Sequence, residues 1–409
     1  MGFLYLNSKG DPWHKHSYSA GIDWEMSPIR YKLRRIDGWK EKDTKASFKF
    51  GRALESAIQF HHENGGKGGM EEFLRLWAQH KDDKDVVYTK TENDWASLNR
   101  AGKEMMILYQ IRQPALPIPL ASSIFQREYE KEVFPEHPEL GGITHAGKLD
   151  IVVRVDPAHP LLSKVQWKDS YGAFRTAIVD IKTSALDFDE RQGMCAFDSQ
   201  LRNYSWLTGI RDVCFLWFKK AGHNLQKGSS VTLMTDATKF KAGEEAVVAQ
   251  VVGDQAYVVR NDEEIEKMNK AQGRKVDPMD KPGADPTGDL MTDKAAKERK
   301  GVWLIENADL VDLDILTRQR LQFNAGIVKP EYAEDAGFVV GRQITGIVNA
   351  WKQNKWPMEF GVRFPRDSRN DSYFRAFVLN DEMFKNQFFK KSDDTFDDLV
   401  VYDDEPEEA

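Results

Sequence analysis

The sequence predicts an α/β protein in which helices flank a mixed β-sheet. The main observation is the order of strand-like and helical segments in the middle of the chain. Three strand-like runs, at 124–133, 148–155 and 177–182, are followed by a helical segment at 198–207 and an apolar strand at 213–218. Strands that alternate with helices in this way form a layered α/β domain. The second observation is size, because 409 residues, 41% of them hydrophobic, provide ample core material for one large domain with attachments, or for two or three domains.

The remaining elements follow from periodicity along the chain. Helical patterns precede the strands at four places: 28–37, 47–63, 71–79 and 94–112. The last of these is expected to end before Pro114, because proline breaks a helix. After the strand at 213–218, a strand pair at 230–233 and 246–260 is predicted to form a hairpin or to extend the sheet.

Changes in composition divide the chain into four parts. Residues 1–269 contain the predicted sheet and form the expected main domain. Residues 270–300 lose large apolar residues and gain proline and glycine, which is typical of a flexible insertion or linker. Residues 301–389 regain aromatic residues, so we expect a C-terminal α+β extension there. Residues 390–409 hold nine acidic and two basic residues, and we expect this acidic tail to be disordered.

The basic charge of the chain is clustered. The acidic tail alone carries the formal net charge of the whole chain, −7, so the other residues balance to zero. Among them, the segment 30–52 holds nine basic residues against three acidic ones. Such a cluster permits a nucleic-acid partner even in a protein that is acidic overall.

Composition also excludes several classes of protein. No run approaches the ~20 apolar residues that a membrane helix requires, and the N-terminus lacks the pattern of a secretory signal. We therefore expect a cytoplasmic protein with no membrane partner. Cys195 and Cys214 are the only cysteines, which are too few for a four-cysteine zinc site or an iron–sulfur cluster.

Two strand segments carry the residues most indicative of chemistry. Asp150 and Asp180 each lie within an apolar strand pattern, where a carboxylate is costly unless a partner such as a divalent cation compensates it. Strand alternation places Asp180 and Lys182 on one face, with Ile181 on the other. A carboxylate beside an ammonium group supplies parts for metal-assisted phosphodiester hydrolysis. The alternative is a surface ion pair on an edge strand, because Asp-x-Lys triplets are common.

The wider pattern resembles the RecB-type branch of the PD-(D/E)XK nuclease superfamily over about residues 16–220. The matching segments occur in the family's order: His16–Ala20, Met26–Lys32, Ile36–Gly38, Phe50–Glu55, Glu128–Val133, Gly147–Asp150, Val179–Ser184, Gln200–Tyr204 and Val213–Lys220. The resemblance implies a restriction-endonuclease-like fold, in which helices flank a mixed β-sheet core.

The resemblance also implies a role for the acidic residues. Asp150, Asp180 and Lys182 would be the catalytic set, in which the two aspartates and the backbone carbonyl of Ile181 bind a metal ion. Glu55 stands where many relatives have histidine and would be a further oxygen ligand, which favours Mg²⁺ or Mn²⁺ over softer metals. The alternative for Glu55 is a solvated helix acid.

The remaining matches concern DNA and cofactors. Gln200 and Tyr204 match the family's Gln-x-x-x-Tyr element, four residues apart on one helical face. The resemblance implies that Gln200 would hydrogen-bond near the lysine or the substrate, and that Tyr204 would contact the phosphate backbone. An ordinary half-buried helix face is the alternative. Ser27 stands before a proline where several relatives have a cluster-binding cysteine, so no iron–sulfur cluster is expected. The basic residues expected to hold the DNA backbone are Lys32, Arg34, Arg35 and Arg52.

We therefore expect a DNA exonuclease that depends on Mg²⁺ or Mn²⁺. It would belong to a phage or bacterial system of DNA replication, recombination or repair. It would act in the cytoplasm of a bacterium or of a phage-infected host. DNA would be its main partner. By analogy, a single-strand annealing or single-strand binding protein would be a second, and homo-oligomerisation is left open. The alternatives are a structure-specific or nicking endonuclease, and a catalytically silent nuclease-fold scaffold that binds DNA or protein. The complete Asp150, Asp180 and Lys182 set argues against the scaffold.

Overall fold

The structure is a computed structural model, and it describes residues 15–42, 44–88, 94–162, 175–184, 193–219, 225, 228–233, 236, 240–252, 255–259, 302–306, 310–312, 320–357 and 373–391. The helices of these ranges are α1 (Tyr18–Met26), α2 (Pro28–Tyr31), α3 (Ala46–Glu63), α4 (Gly69–Ala78), α5 (Trp95–Arg112), α6 (Ser199–Thr208), α7 (Pro330–Lys352) and α8 (Glu382–Phe388). Their strands are β1 (Lys15–Ser17), β2 (Trp39–Glu41), β3 (Thr44–Lys45), β4 (Val86–Val87), β5 (Ser123–Glu132), β6 (Thr144–Val155), β7 (Arg175–Ser184), β8 (Asp212–Lys219), β9 (Ser230–Leu233), β10 (Glu245–Val252), β11 (Gln255–Val259), β12 (Val302–Glu306), β13 (Leu310–Asp312), β14 (Arg320–Ile327) and β15 (Phe389–Lys391).

The central sheet has six strands of mixed direction. Its order is β1–β6–β7–β8–β14. Strands β1 and β7 pair with different ends of one edge of β6, and β5 pairs with the opposite edge. Two pairings, β1 with β6 and β7 with β8, are parallel, and the others are antiparallel. The predicted α/β architecture with a mixed sheet is therefore confirmed, and the helix predicted at 28–37 is α2 continued by a π-helical turn, Lys32–Ile36.

Helices cover both faces of this sheet. On one face, α3, α4 and α5 bury an apolar core that includes Leu54 and Trp77 against strand residues such as Ile151 and Val179. On the other face, α6 packs against the sheet through residues such as Leu201. Helix α7 lies against α6 and α1. Burial of these apolar faces is the main source of stability for the layered arrangement.

The segment after β8 forms a second sheet. Its five strands have the order β12–β11–β10–β9–β13, and all of its pairings are antiparallel. The predicted strand pair 230–233 and 246–260 corresponds to β9, β10 and β11, in which β10 and β11 form a hairpin. These strands belong to a separate sheet rather than extending the central one.

One strand pairing crosses the domain boundaries that composition predicts. Strand β14 pairs with β8 over its whole length, from Arg320–Lys219 to Ile327–Asp212, so this part of the predicted C-terminal extension belongs to the central sheet. Strands β12 and β13 likewise complete the second sheet. Composition reports local properties, whereas strand pairing joins distant segments. The predicted linker 270–300 lies outside the described residues, as does the acidic tail apart from Lys390 and Lys391 of β15.

Across the described ranges, no helix combines the length and the apolar character needed to cross a membrane.

Candidate active site

Strands β6 and β7 separate at the two predicted aspartates. The last residues that pair between these strands are Ile151 and Val179, and the next positions are Asp150 and Asp180. Beyond this point, a side chain accepts the hydrogen bond of a backbone N–H group. The Oδ2 of Asp150 accepts a hydrogen bond of 2.8 Å from the Ile181 N–H. The opening between the strands therefore places two carboxylates side by side within the sheet.

Asp180 and Lys182 lie on the face of β7 that α6 covers, as the strand alternation predicts. The Lys182 Nζ lies 3.1 Å from Oδ1 of Asp180 and 2.8 Å from its Oδ2. The Asp180 side chain is 1% exposed and that of Lys182 is 33% exposed. Strand β7 lies between β6 and β8, so the alternative of a surface pair on an edge strand does not apply.

Helix α6 supplies the third part of the cluster. Asp198 caps its N-terminus, because the Asp198 Oδ1 accepts hydrogen bonds from the backbone N–H groups of Gln200 and Leu201, and this cap fixes the first turn beside Lys182. The Gln200 Oε1 accepts a hydrogen bond of 2.9 Å from Lys182 Nζ, and its Nε2 donates one of 2.8 Å to the hydroxyl of Tyr204. Gln200 therefore contacts the lysine directly.

Tyr204 links this chain of hydrogen bonds to strand β6. Its hydroxyl donates to the backbone carbonyl of Lys148 at 3.1 Å, and the residue is 6% exposed. In this position Tyr204 orients Gln200, and its hydroxyl is not presented to an incoming phosphate.

Glu55 reaches the two aspartates from α3, in the opposite helical layer. Its carboxyl group shares a hydrogen bond with that of Asp150, and its Oε1 accepts another from the Gln126 side chain. Glu55 is half-buried, so it is not the solvated helix acid of the alternative interpretation.

The pKa values of the three carboxyl groups in the site lie above their ordinary values. Burial raises the pKa of Asp180 to about 7, although the Lys182 charge opposes this shift. Burial also raises the pKa values of Glu55 and Asp150, and the charge of Glu55 adds to the effect on Asp150. For Lys182, burial favours a lower pKa, but the charges of Asp180 and Asp150 outweigh it and raise the pKa above its ordinary value.

The donor chemistry of this cluster suits a hard divalent cation. All of the acidic side chains offer oxygen, and among the described residues the buried Oδ2 of Asp180 accepts no hydrogen bond of regular geometry. Within the same ranges, no three acidic, histidine or cysteine side chains converge closely enough to hold an ion as they stand. Glu55 and Asp150 interact through a side-chain hydrogen bond, and Lys182 pairs with Asp180. A divalent cation would have to displace these contacts, and the freed oxygen atoms would then suit Mg²⁺ or Mn²⁺.

No family model matches the chain. No curated protein matches it either. A solved structure described as the crystal structure of SSO0001 is 12% identical, over 44% of this chain and 63% of that protein, with a TM-score of 0.17. The chain thus covers less than two thirds of that protein, and at this score the similarity supports no conclusion about fold or activity.

Three of the four basic residues predicted to hold DNA lie in or beside the π-helical turn after α2 and bind carboxylates of the protein. The Lys32 Nζ lies 2.6 Å from Oδ2 of Asp37, and the Arg34 Nη1 lies 3.2 Å from Oδ1 of Asp23. The Arg35 side chain is fully buried, and its Nε donates to Asp23 at 2.9 Å. A direct contact of Arg35 with DNA is therefore not available in this conformation, because the cluster around Asp23 requires its guanidinium.

Arg52 and a second lysine, Lys148, lie near the acidic cluster. Arg52 is on α3, three residues before Glu55, and its guanidinium lies 4.7 Å from the ring centre of Phe48. Lys148 precedes Asp150 by two residues on β6 and interacts electrostatically with Glu55 and Arg52. Sequence reasoning overlooked Lys148, although strand alternation relative to Asp150 could have identified it. It also overlooked Gln126, for which no local pattern gives a signal.

Proposed function

We propose that this protein is a metal-dependent deoxyribonuclease that acts as an exonuclease in phage or bacterial DNA replication, recombination or repair. The observation that carries the proposal is the meeting of Asp150, Asp180 and Lys182 at the opening between β6 and β7. Glu55 joins them from one helical layer and Gln200 from the other. The resemblance to RecB-type PD-(D/E)XK nucleases supports the proposal, because its matched acidic, lysine and glutamine positions come from four separate segments yet contribute to this one cluster.

The acidic residues would hold one or two divalent cations. Glu55, Asp150 and Asp180 would provide carboxylate oxygens, with the Ile181 carbonyl as a further donor. A bound Mg²⁺ or Mn²⁺ would supply Lewis acidity and neutralise charge on the phosphate. Three buried carboxyl groups that repel one another would be compensated more fully by a dication than by a proton.

Lys182 would act on the scissile phosphate or on the attacking water. In the present arrangement it is a charged hydrogen-bond donor, held by Asp180 and by Gln200 Oε1. Once Asp180 and Asp150 share their charge with a dication, the pKa of Lys182 would fall, and its amine could accept a proton from the water. The Gln200–Tyr204 hydrogen bond would keep the acceptor on Gln200 directed at the lysine.

The experiment that tests this function compares two DNA substrates of the same sequence, one linear and one covalently closed, in Mg²⁺ and in EDTA. An exonuclease degrades the linear DNA, leaves the closed circle intact and is inactive in EDTA. Cleavage of the closed circle would favour an endonuclease instead. If neither substrate is hydrolysed in Mg²⁺ or Mn²⁺ while DNA is still bound, a catalytically silent scaffold is the better account.

A further inference from the structure

Gln126 interrupts the regular geometry of strand β5. Its neighbours Phe125 and Arg127 pair with Ile151 and Leu149 of β6, but Gln126 itself has a φ of +52°. The position opposite Gln126 on β6 is Asp150, and these two residues form no ladder pair. A side chain other than glycine in the left-handed region within a strand is strained, and such strain persists where the surrounding structure requires it.

The side chain of Gln126 meets the acidic cluster. Its amide nitrogen donates a hydrogen bond to Oε1 of Glu55. The same Glu55 carboxyl group forms a hydrogen bond with the side chain of Asp150. The preceding residue, Phe125, packs against His62 with ring centres 5.0 Å apart. His62 lies two turns after Glu55 on α3, so consecutive residues of β5 hold the same helix at two points.

We propose that Gln126 is a positioning residue for Glu55 and sets the affinity of the acidic site for divalent cations. This inference rests on the proposed function. A glutamine amide is a neutral donor, so it can orient one carboxylate oxygen without neutralising the charge that a cation needs. The left-handed backbone at Gln126 is retained because it brings this amide to Glu55, opposite Asp150.

The test separates the amide from the backbone strain. Glycine accepts a positive φ but lacks the amide, so Gln126→Gly is expected to fold with an unchanged or higher Tm. Mn²⁺ binding, measured by electron paramagnetic resonance of the free ion, is expected to weaken about tenfold. The Mg²⁺ concentration at half-maximal cleavage should rise by a similar factor, with the maximal rate largely restored at high Mg²⁺. If Gln126→Gly does not fold, Gln126→Asn tolerates the same backbone with a shorter side chain.

Two controls make the result specific. Asn354 has a φ of +47° at a turn after α7, so Asn354→Gly relieves strain of the same kind and should leave Mn²⁺ binding unchanged. In a Glu55→Ala background, Gln126→Gly should cause no further loss of Mn²⁺ affinity, because the residue acts through Glu55.

The outcomes separate this inference from the function on which it rests. Wild-type Mn²⁺ affinity in Gln126→Gly, or an equal loss with and without Glu55, would overturn the positioning role and leave the nuclease proposal intact. If the wild-type protein neither binds Mn²⁺ nor cleaves DNA, the proposed function and this inference both fail.

Discussion

Asp150 and Asp180 occupy equivalent positions on β6 and β7, one residue beyond the last pair that joins these strands. The Ile181 N–H, which a continuing ladder could pair with a backbone carbonyl, is bound by the Asp150 carboxylate. This exchange lets the sheet open without leaving that donor unsatisfied. The opening is what makes room for Glu55 on one side and for Lys182 and Gln200 on the other.

Glu55→Gln is expected to raise the Mg²⁺ concentration at half-maximal cleavage about tenfold and to leave DNA affinity nearly unchanged. A neutral amide occupies the same volume but is a poorer ligand for a hard dication. Mg²⁺ titration of the cleavage rate, together with DNA binding in Ca²⁺ or EDTA, measures both effects. Glu63→Gln is the matched control, because Glu63 is an exposed acid at the end of the same helix. Equal titration midpoints for wild type and Glu55→Gln would remove Glu55 from the ligand set.

Lys148→Met is expected to weaken DNA binding by a similar factor for all sequences and to reduce the slope of log affinity against log salt by about 1. Lys148 is half-buried beside Asp150, and burial, together with the charge of Arg52, lowers its pKa. It therefore offers a desolvated cation near the place where a phosphate would lie. Binding measured over a range of salt concentrations tests this. Lys352→Met, which removes a lysine paired with Glu139 at the surface, should keep the wild-type slope. An unchanged slope in Lys148→Met would mean that Lys148 makes no phosphate contact.

Asp23→Ala is expected to lower the free energy of unfolding by about 3–5 kcal/mol, because it removes the carboxylate that compensates the buried charge of Arg35. Asp23 is 2% exposed and binds Arg30, Arg34 and Arg35. Denaturant unfolding measures the loss. The exposed pair of Glu139 and Lys352 is the control, since Glu139→Ala should cost about 0–1 kcal/mol.

The lowered pKa of Asp23 also makes the free energy of unfolding depend on pH. Burial opposes ionisation of Asp23, but the charges of Arg35, Arg34 and Arg30 outweigh it and hold its pKa below the ordinary value. A depressed pKa means that the stabilisation is present above the unfolded-state value of about 3.9 and is lost as the pH falls further, through the folded-state pKa. Wild type should therefore lose stability below about pH 4 more steeply than Asp23→Asn. Parallel curves for the two proteins would show that Asp23 does not contribute this dependence.

Local sequence patterns predict much of the central sheet. The alternation of Asp180, Ile181 and Lys182 places the two polar residues together, and the spacing of Gln200 and Tyr204 places both on one side of α6. These relationships depend on the period of a single strand or helix, which neighbouring residues determine. The same reasoning locates α3, and with it Glu55.

Other features depend on contacts between distant segments. The pairing of β14 with β8 joins residues about a hundred positions apart, so composition places β14 in a separate extension. The basic character of Arg35 suggests a surface contact, but the partner that buries it, Asp23, lies in another helix. Gln126 has no local signal, because its contact with Glu55 joins residues that are 71 positions apart in the chain.

The most direct test of the central claim is the single-turnover cleavage rate of linear DNA in Mg²⁺ by wild type, Asp180→Asn and Asp212→Asn. Asp212 is a buried carboxylate at the other end of the sheet, where it begins β8 and binds Arg175, so it matches Asp180 in burial but not in position. Asp180→Asn is expected to fold and to bind DNA but to cleave at least about 100-fold more slowly, a loss of about 2.7 kcal/mol in transition-state stabilisation. Asp212→Asn should cleave at the wild-type rate. Wild-type cleavage by folded Asp180→Asn, or an equal loss in both variants, would contradict the assignment of the active site to the opening between β6 and β7.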